Sequence, residues 1–566
     1  MWIALLLLSP DALACGGFFC NTTPVAQTGE DVLFVVDEAR GETTVHVKIT
    51  YAGEAPDFAW IVPVAGIPEL RLSTAAVFPA LTAAAGPSVR TVVPWEAGSC
   101  DMSNWERPST NGDYLSPPAP QVVSQDELGP YETVVLRAQS TAELTDWLRV
   151  SGYDLPPSLD AVLAPYVAEG SYFVALKLAS GASVGDLQPL AVRYAGTGMS
   201  IPIRLTALAA TPDLPVRVAV LAQARAVPDS YLHATLDPLR LDWWSQLTTW
   251  TYVGGATASF ASVLGQAIDE ASGHAFVTHY SGRAGVMSGR VWSAGAPDID
   301  ALAAAQTPLE ARDVLQSMGV SADAPLASIW ATYLPMPESL ALEGVTPQMF
   351  YGCFECFEAE VAAIPFDAPA FAAAVDERIV TPRQQLQEAF DTLPWLTTLE
   401  TQLSPEEMTV DPTFALNPDL PQEVELGPAV WQHLCADDRR DFSWMHAPTR
   451  IDLPDGRSYD LPSEAWLSEH DTTASGLLET LPQRSVSTVE DLGADGPGVV
   501  LIDHRALQLE EMAWWNDTHP WREPQAPTST PSVTAEPAPV SGCDSGAPTG
   551  ALGLGVALLA LRRRRG

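Results

Sequence analysis

Val32-Leu33-Phe34-Val35-Val36 is an unbroken apolar run, and a polar turn from Asp37 to Thr43 follows it. Val45, Val47, Ile49 and Tyr51 then alternate with His46, Lys48 and Thr50. An alternation of period two marks a strand with one face buried, and a short uninterrupted apolar run fits a strand buried on both faces. Joined by so short a connection, the two predict antiparallel neighbours. His46 falls on the polar side of the alternation and reads as a solvated strand residue.

Outward from this pair, Phe58 to Val64 reads as a third strand, closed by Pro63 and Gly66. Thr133–Arg137, Tyr172–Leu178, Leu190–Tyr194, Ile201–Leu208 and Val216–Leu221 are further strands. Between them, Ser140-Thr141-Ala142-Glu143 spells a capping box for a short helix carrying Leu144, Trp147 and Leu148. A second helical piece, Leu159 to Glu169, is interrupted by Pro165 and stops at Gly170.

From about residue 255 the period changes. Phe260, Val263, Leu264, Ala267 and Ile268 share one helical face, which Gly273 ends. Thr307-Pro308-Leu309-Glu310 sets a cap, an N1 proline and a box glutamate in order, and Thr381-Pro382-Arg383-Gln384 repeats the device. The predicted fold is α+β, with a mainly antiparallel, β-rich N-terminal half and a helix-rich second half. The predicted segments are a leader over 1–14, a β-rich α+β domain over 15–254 and a helix-rich, mixed region over 255–523. A Pro/Ser/Thr-rich linker over 524–542 and a terminal tail over 543–566 complete them.

The two ends speak of export. Trp2 to Leu8 is apolar, Pro10 breaks it, and Ala12-Leu13-Ala14 offers small residues for signal-peptide cleavage between Ala14 and Cys15. No Lys or Arg precedes the run, so the basic segment usual in such leaders is missing. Acylation at Cys15, the alternative, would want Leu where Ala12 stands. At the far end, a linker that could span ~50–60 Å as polyproline II leads to Cys543, the apolar run Ala551–Leu561 and Arg562–Arg565. An arginine cluster behind an apolar run marks a cytoplasmic end, and a run so short suits a processed signal better than a permanent span of about 20 residues.

Composition narrows the function. The formal charge is −41 over 566 residues, with only Lys48 and Lys177 as lysines. A field of that sign repels nucleic acid, so no nucleic-acid partner is expected. Setting Cys543 aside, Cys15, Cys20, Cys100, Cys353, Cys356 and Cys435 form an even set in an exported chain, hence disulfide candidates. Cys15 with Cys20 is the favoured pair, and the arrangement of the other four stays open.

Cys15-Gly16-Gly17-Phe18-Phe19-Cys20, Asp57-Phe58-Ala59-Trp60-Ile61-Val62-Pro63-Val64 and Gly129-Pro130-Tyr131-Glu132-Thr133-Val134-Val135-Leu136 resemble the bacterial family catalogued as domain of unknown function 2330. So do Gly170 to Leu178, Ile203 to Ala207 and Ser404 to Pro412. The resemblance implies an exported, often surface-tethered protein, and it carries no activity and no catalytic residues to this chain. The tail is similar to the MYXO-CTERM sorting signal of myxobacterial surface proteins, which implies that Cys543 is the processing and anchoring residue.

Motifs for the common enzymes are missing: no Gly-Lys-Ser/Thr phosphate loop, no His-Glu-x-x-His, no Gly-x-Ser-x-Gly elbow. Cys353-Phe354-Glu355-Cys356 has redox spacing, but Glu355 and Glu358 disfavour a thiolate. The two cysteines therefore read as structural, bonded to each other or to other cysteines. Cys353, Cys356, His433 and Cys435 make an admissible zinc set, which an oxidising compartment argues against. His274 and His279 stand near Asp269 and Glu270 but fit the end of a helix and the start of a strand. Trp243-Trp244 and Trp514-Trp515 read as core.

The expected protein is thus exported and tethered at the cell surface or outer membrane by its C-terminal tail, its other partners being the export and sorting proteases. Its expected role is non-catalytic, in binding, adhesion or envelope structure, with no cofactor and with its protein or glycan ligand unnamed. The alternative is an extracytoplasmic hydrolase or metal-dependent enzyme whose site assembles only in three dimensions.

Overall fold

The computed structural model describes residues 18–19, 26–52, 59–86, 91–92, 127–128, 131–150, 155, 158–178, 188–241, 243, 258–293, 295, 297–320, 324–424, 427–433, 449–470 and 484–518. The leader, Ala14, Cys15, Cys20, Cys100, Cys435, Cys543, the linker and the tail all lie outside these residues.

The opening apolar run is strand β1 (Ala26–Asp37), and the alternating segment is β2 (Glu42–Ala52). They pair antiparallel, Val32 opposite Val47 and Asp37 opposite Glu42. Gly41 turns the chain at φ +64°, a conformation that glycine adopts without a Cβ clash. The run is apolar throughout because β1 is central. Val32, Phe34 and Val36 enter one core while Leu33 and Val35 enter another on the opposite face.

Around this pair the chain lays β3 (Glu69–Leu72), β4 (Leu190–Ala195), β5 (Leu214–Ala222), β6 (Leu232–Leu236), β7 (Ala275–Arg283), β8 (Trp395–Leu403), β9 (Val486–Asp491) and β10 (Val499–Asp503). The order across the sheet is β10-β9-β6-β7-β8-β5-β1-β2-β4-β3. Only β5 with β1 and β6 with β7 run parallel, so the protein is α+β with a mixed, mainly antiparallel sheet. Strands from both 15–254 and 255–523 are interleaved within it, and the described residues between 18 and 518 belong to one compact unit.

Helices α1 (Val77–Ala85) and α3 (Thr381–Thr392) cover the Leu33 face through Phe78, Leu81, Leu386 and Phe390. Helices α2 (Ala258–Glu270) and α4 (Arg505–Thr518) cover the Val32 face through Phe260, Leu264, Met512 and Trp515. A helical insert between β7 and β8, residues 299–380, has its own core around Trp330, Phe350, Phe354 and Phe371. A second sheet, containing Ala59–Val64, Tyr131–Leu136 and Tyr172–Leu178, packs on the helices Thr141–Val150 and Leu159–Ala168.

Several local expectations are met atom by atom. In the capping box, Ser140 Oγ accepts from Glu143 N–H at 3.2 Å and Glu143 Oε2 accepts from Gln139 N–H at 2.9 Å. Thr307 Oγ1 likewise accepts from Glu310 N–H at 3.2 Å.

Four expectations are corrected. Ile201–Leu208 is no strand: a short helix, Ile203–Thr206, follows the two-residue strand Met199–Ser200. Pro165 does not interrupt its helix, which runs through it from Leu159 to Ala168. Thr381 opens nothing, because a π turn over Asp376–Val380 joins the preceding helix Ala368–Val375 to α3, and Pro382 is absorbed into one continuous rod. His46 is not solvated but 8% exposed, its Nδ1 2.8 Å from Ser73 Oγ, because the segment around β3 and α1 covers the polar side of β2.

Candidate functional site

Among the described residues most ionisable side chains are not buried, but the face of the sheet beneath α1 carries a row of them. It begins at β2 with Lys48, whose Nζ donates to Asp31 Oδ2 at 3.0 Å. On β5, Arg217 Nη1 reaches Asp31 Oδ1 at 3.4 Å and its Nε donates to Glu400 Oε1 at 3.0 Å. On β7, His279 Nε2 lies 3.0 Å from Glu400 Oε2. Lys48, Asp31, Arg217, Glu400 and His279 therefore form one row across five adjacent strands.

Register makes the row. Lys48 stands opposite Asp31, Asp31 opposite Arg217 and Arg217 opposite Glu400, so all four point to one face. His279 joins through a bulge. Thr278 pairs with Leu399 and Tyr280 with Thr398, leaving His279 as the extra residue that the kink aims at Glu400.

Burial pushes the Glu400 carboxyl up, but the His279 bond and the Arg217 charge outweigh it and hold the group below the usual carboxylate range. Glu400 is 3% exposed and His279 4%, and the imidazole lies 5.5 Å from the Phe260 ring. Phe78, Leu81 and Thr82 of α1 roof the row and leave a cavity of about 40 Å³. One water needs roughly 10–15 Å³ on that measure, and small-molecule sites run to ~300 Å³ and above. The space suits a few waters and no substrate. Chemically the row can hold charge and orient an imidazole, but each of its cations is already matched by a carboxylate.

A second buried imidazole, His233 on β6, stands apart from the first. Its Nε2 is 3.0 Å from Thr278 Oγ1, and its ring lies between Glu423 at 3.7 Å and Glu490 at 3.6 Å. Arg225 pairs with Glu423.

The residues singled out in the sequence do not converge here. His274 Nε2 meets Thr409 Oγ1 at 3.0 Å while His279 turns to Glu400, and Glu270 accepts from the N–H groups of Ser485 and Val486. Cys353 and Cys356 are bonded to each other, and sulfurs so bonded supply no thiolate to a metal. Of the other two residues of the zinc set, Cys435 lies outside the described residues and His433 is described only as part of the strand Ala429–His433. Among the described residues no group of three or more His, Cys, Asp or Glu is arranged to hold a metal ion.

Trp243 and Trp515 are core residues, whereas Trp514 is 54% exposed. Among the described residues, no helix is long and apolar enough to cross a membrane. The row belongs to no motif, yet it leaves a mark in the sequence: Arg217 in Leu214–Ala222 and Glu400 in Trp395–Leu403 are lone ionisable residues inside otherwise uncharged strands.

Exposed apolar surface gathers elsewhere, at the last strand. On β10, Val499 is 62% exposed, Val500 47% and Leu501 55%. The strand pairs with β9 on one side and, among the described residues, has no partner on the other.

A family model described as "Uncharacterized protein conserved in bacteria (DUF2330)" matches residues 9–311, just over half of the chain. No curated protein and no solved structure matches.

Proposed function

The chain belongs to this bacterial family, DUF2330, and on that premise we propose that it is an exported, surface-tethered protein whose role is the non-catalytic binding of a partner. Cleavage after Ala14 would release the leader, and processing of the tail at Cys543 would leave that residue as the anchor, joined to the folded unit through the linker. The observation that carries the binding reading is the edge strand β10, whose Val499, Val500 and Leu501 are exposed while Ile502 packs against the core. A free sheet edge presents unpaired N–H and C=O groups and accepts an added strand.

The partner that fits is an extended apolar segment with basic flanks. Glu490, Asp491 and Asp495 lie just before β10, Asp503 at its end is paired with Arg505, and the chain as a whole is strongly acidic. The same charge opposes a second copy of this chain. The linker is a poor occupant, since its prolines lack the N–H a ladder needs. The cavity beneath α1, with its ion pairs already made, supports the non-catalytic side of the reading.

Mass spectrometry of the surface fraction tests the location. A mature chain beginning at Cys15 and ending near Cys543 is expected, and a chain still carrying Arg562–Arg565 there overturns the sorting and processing at Cys543. A fluorescent peptide of alternating Val and Lys tests the edge. Wild type is expected to bind it, and Leu501→Lys to weaken binding by about tenfold or more through like-charge repulsion. Equal binding by the variant, or none by wild type, rejects β10 as the contact.

A further inference from the structure

The Cys353–Cys356 bond does little for the fold it sits in. It closes a loop of sequence separation 3, where the loss of chain entropy is smallest. The turn is already held without it: Cys356 N–H donates to Cys353 O at 3.0 Å. Between the cysteines, Phe354 is fully buried, 5.0 Å from the Trp330 ring and 6.1 Å from Phe350. An anchored turn presents this bond outward, with Cys356 exposed and Cys353 half-buried.

Of the two acidic neighbours that argued against a reactive thiol, the one between the cysteines, Glu355, is answered in three dimensions. Arg312 Nη1 donates to Glu355 Oε2 at 2.8 Å, and its Nη2 engages the other oxygen. The guanidinium holds the Glu355 carboxyl down at about 2, so that charge is paired and not turned on the sulfurs. Exposed disulfides that staple little are the labile ones.

We infer that Cys353 and Cys356 form a reversible dithiol–disulfide couple that exchanges with thiols of other chains in the same compartment. A partner thiolate attacks Cys356 Sγ, the Cys353–Cys356 bond breaks, and Cys353 leaves as a thiolate that takes a proton from water. A second partner thiolate then attacks its own sulfur in the mixed disulfide, and Cys356 leaves and is protonated in turn. The partner dithiol becomes a disulfide and this protein gains two thiols, so the electrons balance within the pair. The reverse exchange, with a disulfide such as oxidised glutathione, restores the bond. This inference is independent of what β10 binds.

The test uses the folded, full chain and a reduced peptide with two cysteines two residues apart. Alkylation and peptide mapping should show one peptide oxidised for each Cys353–Cys356 pair opened. In the Cys353→Ser variant, oxidised glutathione should leave a stable mixed disulfide on Cys356 and release one reduced glutathione, about tenfold faster than on Cys353 in Cys356→Ser. The double Ser variant should melt within about 4 °C of wild type, because so short a loop stabilises little. A bond that survives millimolar reduced glutathione in the folded protein, or a larger fall in Tm on reduction, would overturn the inference and make it a structural staple.

Discussion

Glu30 and His46 oppose each other in pH. Burial pushes the Glu30 carboxyl up from 4.5 to about 7, against the hydrogen bonds from Gln27 and Thr206. Burial pushes the His46 imidazole down from 6.5 to about 4. For Glu30, stability is fully present below pH 4.5 and is lost as pH rises to about 7, since the unfolded carboxyl ionises first. For His46, stability is present above pH 6.5 and is lost as pH falls towards 4, since the unfolded imidazole takes the proton first. Each corresponds to ~3 kcal/mol, and the two windows overlap with opposite sign. Glu30→Gln should therefore raise stability at pH 8 and uncover a loss on acidification between pH 6.5 and 4. His46→Asn should uncover a loss on alkalinisation between pH 4.5 and 7. Urea titrations at each pH read both slopes, and unchanged profiles would refute the assignment. Neither residue announces this in the sequence. Glu30 stands beside Asp31 just before the apolar run and His46 lies on a polar register, and only the layers packed over them remove the water.

At the scale of elements, the charged row shows what register can build. A strand places alternate side chains on one face, so a single ionisable residue per strand becomes a continuous row once the strands pair. Glu400 is its keystone, held between Arg217 and His279. Glu400→Gln keeps the volume but leaves a buried imidazole and a guanidinium short of their carboxylate. We expect a loss of about 3 kcal/mol in denaturant unfolding, and a change below ~1 kcal/mol would show the row to be incidental.

The legible elements were those whose signals are local. The β1–β2 pair, the Ser140 and Thr307 caps and the Phe260 face all stand where their patterns placed them. The illegible ones depended on neighbours. Thr381-Pro382 spells a helix start, yet the π turn before it carries the chain through as one helix. The bulge that aims His279 at Glu400 exists only in the pairing of two strands far apart in sequence.

At the scale of the molecule, charge and core pull against each other. The sheet is shared along most of the chain, its two faces fill separate cores, and the insert adds a third. Around them lies a surface with a formal charge of −41. Self-repulsion of that size should be relieved by counterions. The melting temperature is expected to rise between about 10 and 200 mM NaCl, over which the Debye length falls from ~30 Å to under ~10 Å. A flat profile in a thermal scan would count against it.

The amino-acid sequence by itself determined the fold class, the strand-then-helix order and the acidic surface, because period, capping and composition act over a few residues. Tertiary structure alone decided which ionisable groups lose their water, which strands exchange partners across the molecule, and that Arg312 meets Glu355 beside the Cys353–Cys356 bond. Those depend on contacts between residues distant in the chain, and no window of sequence contains them.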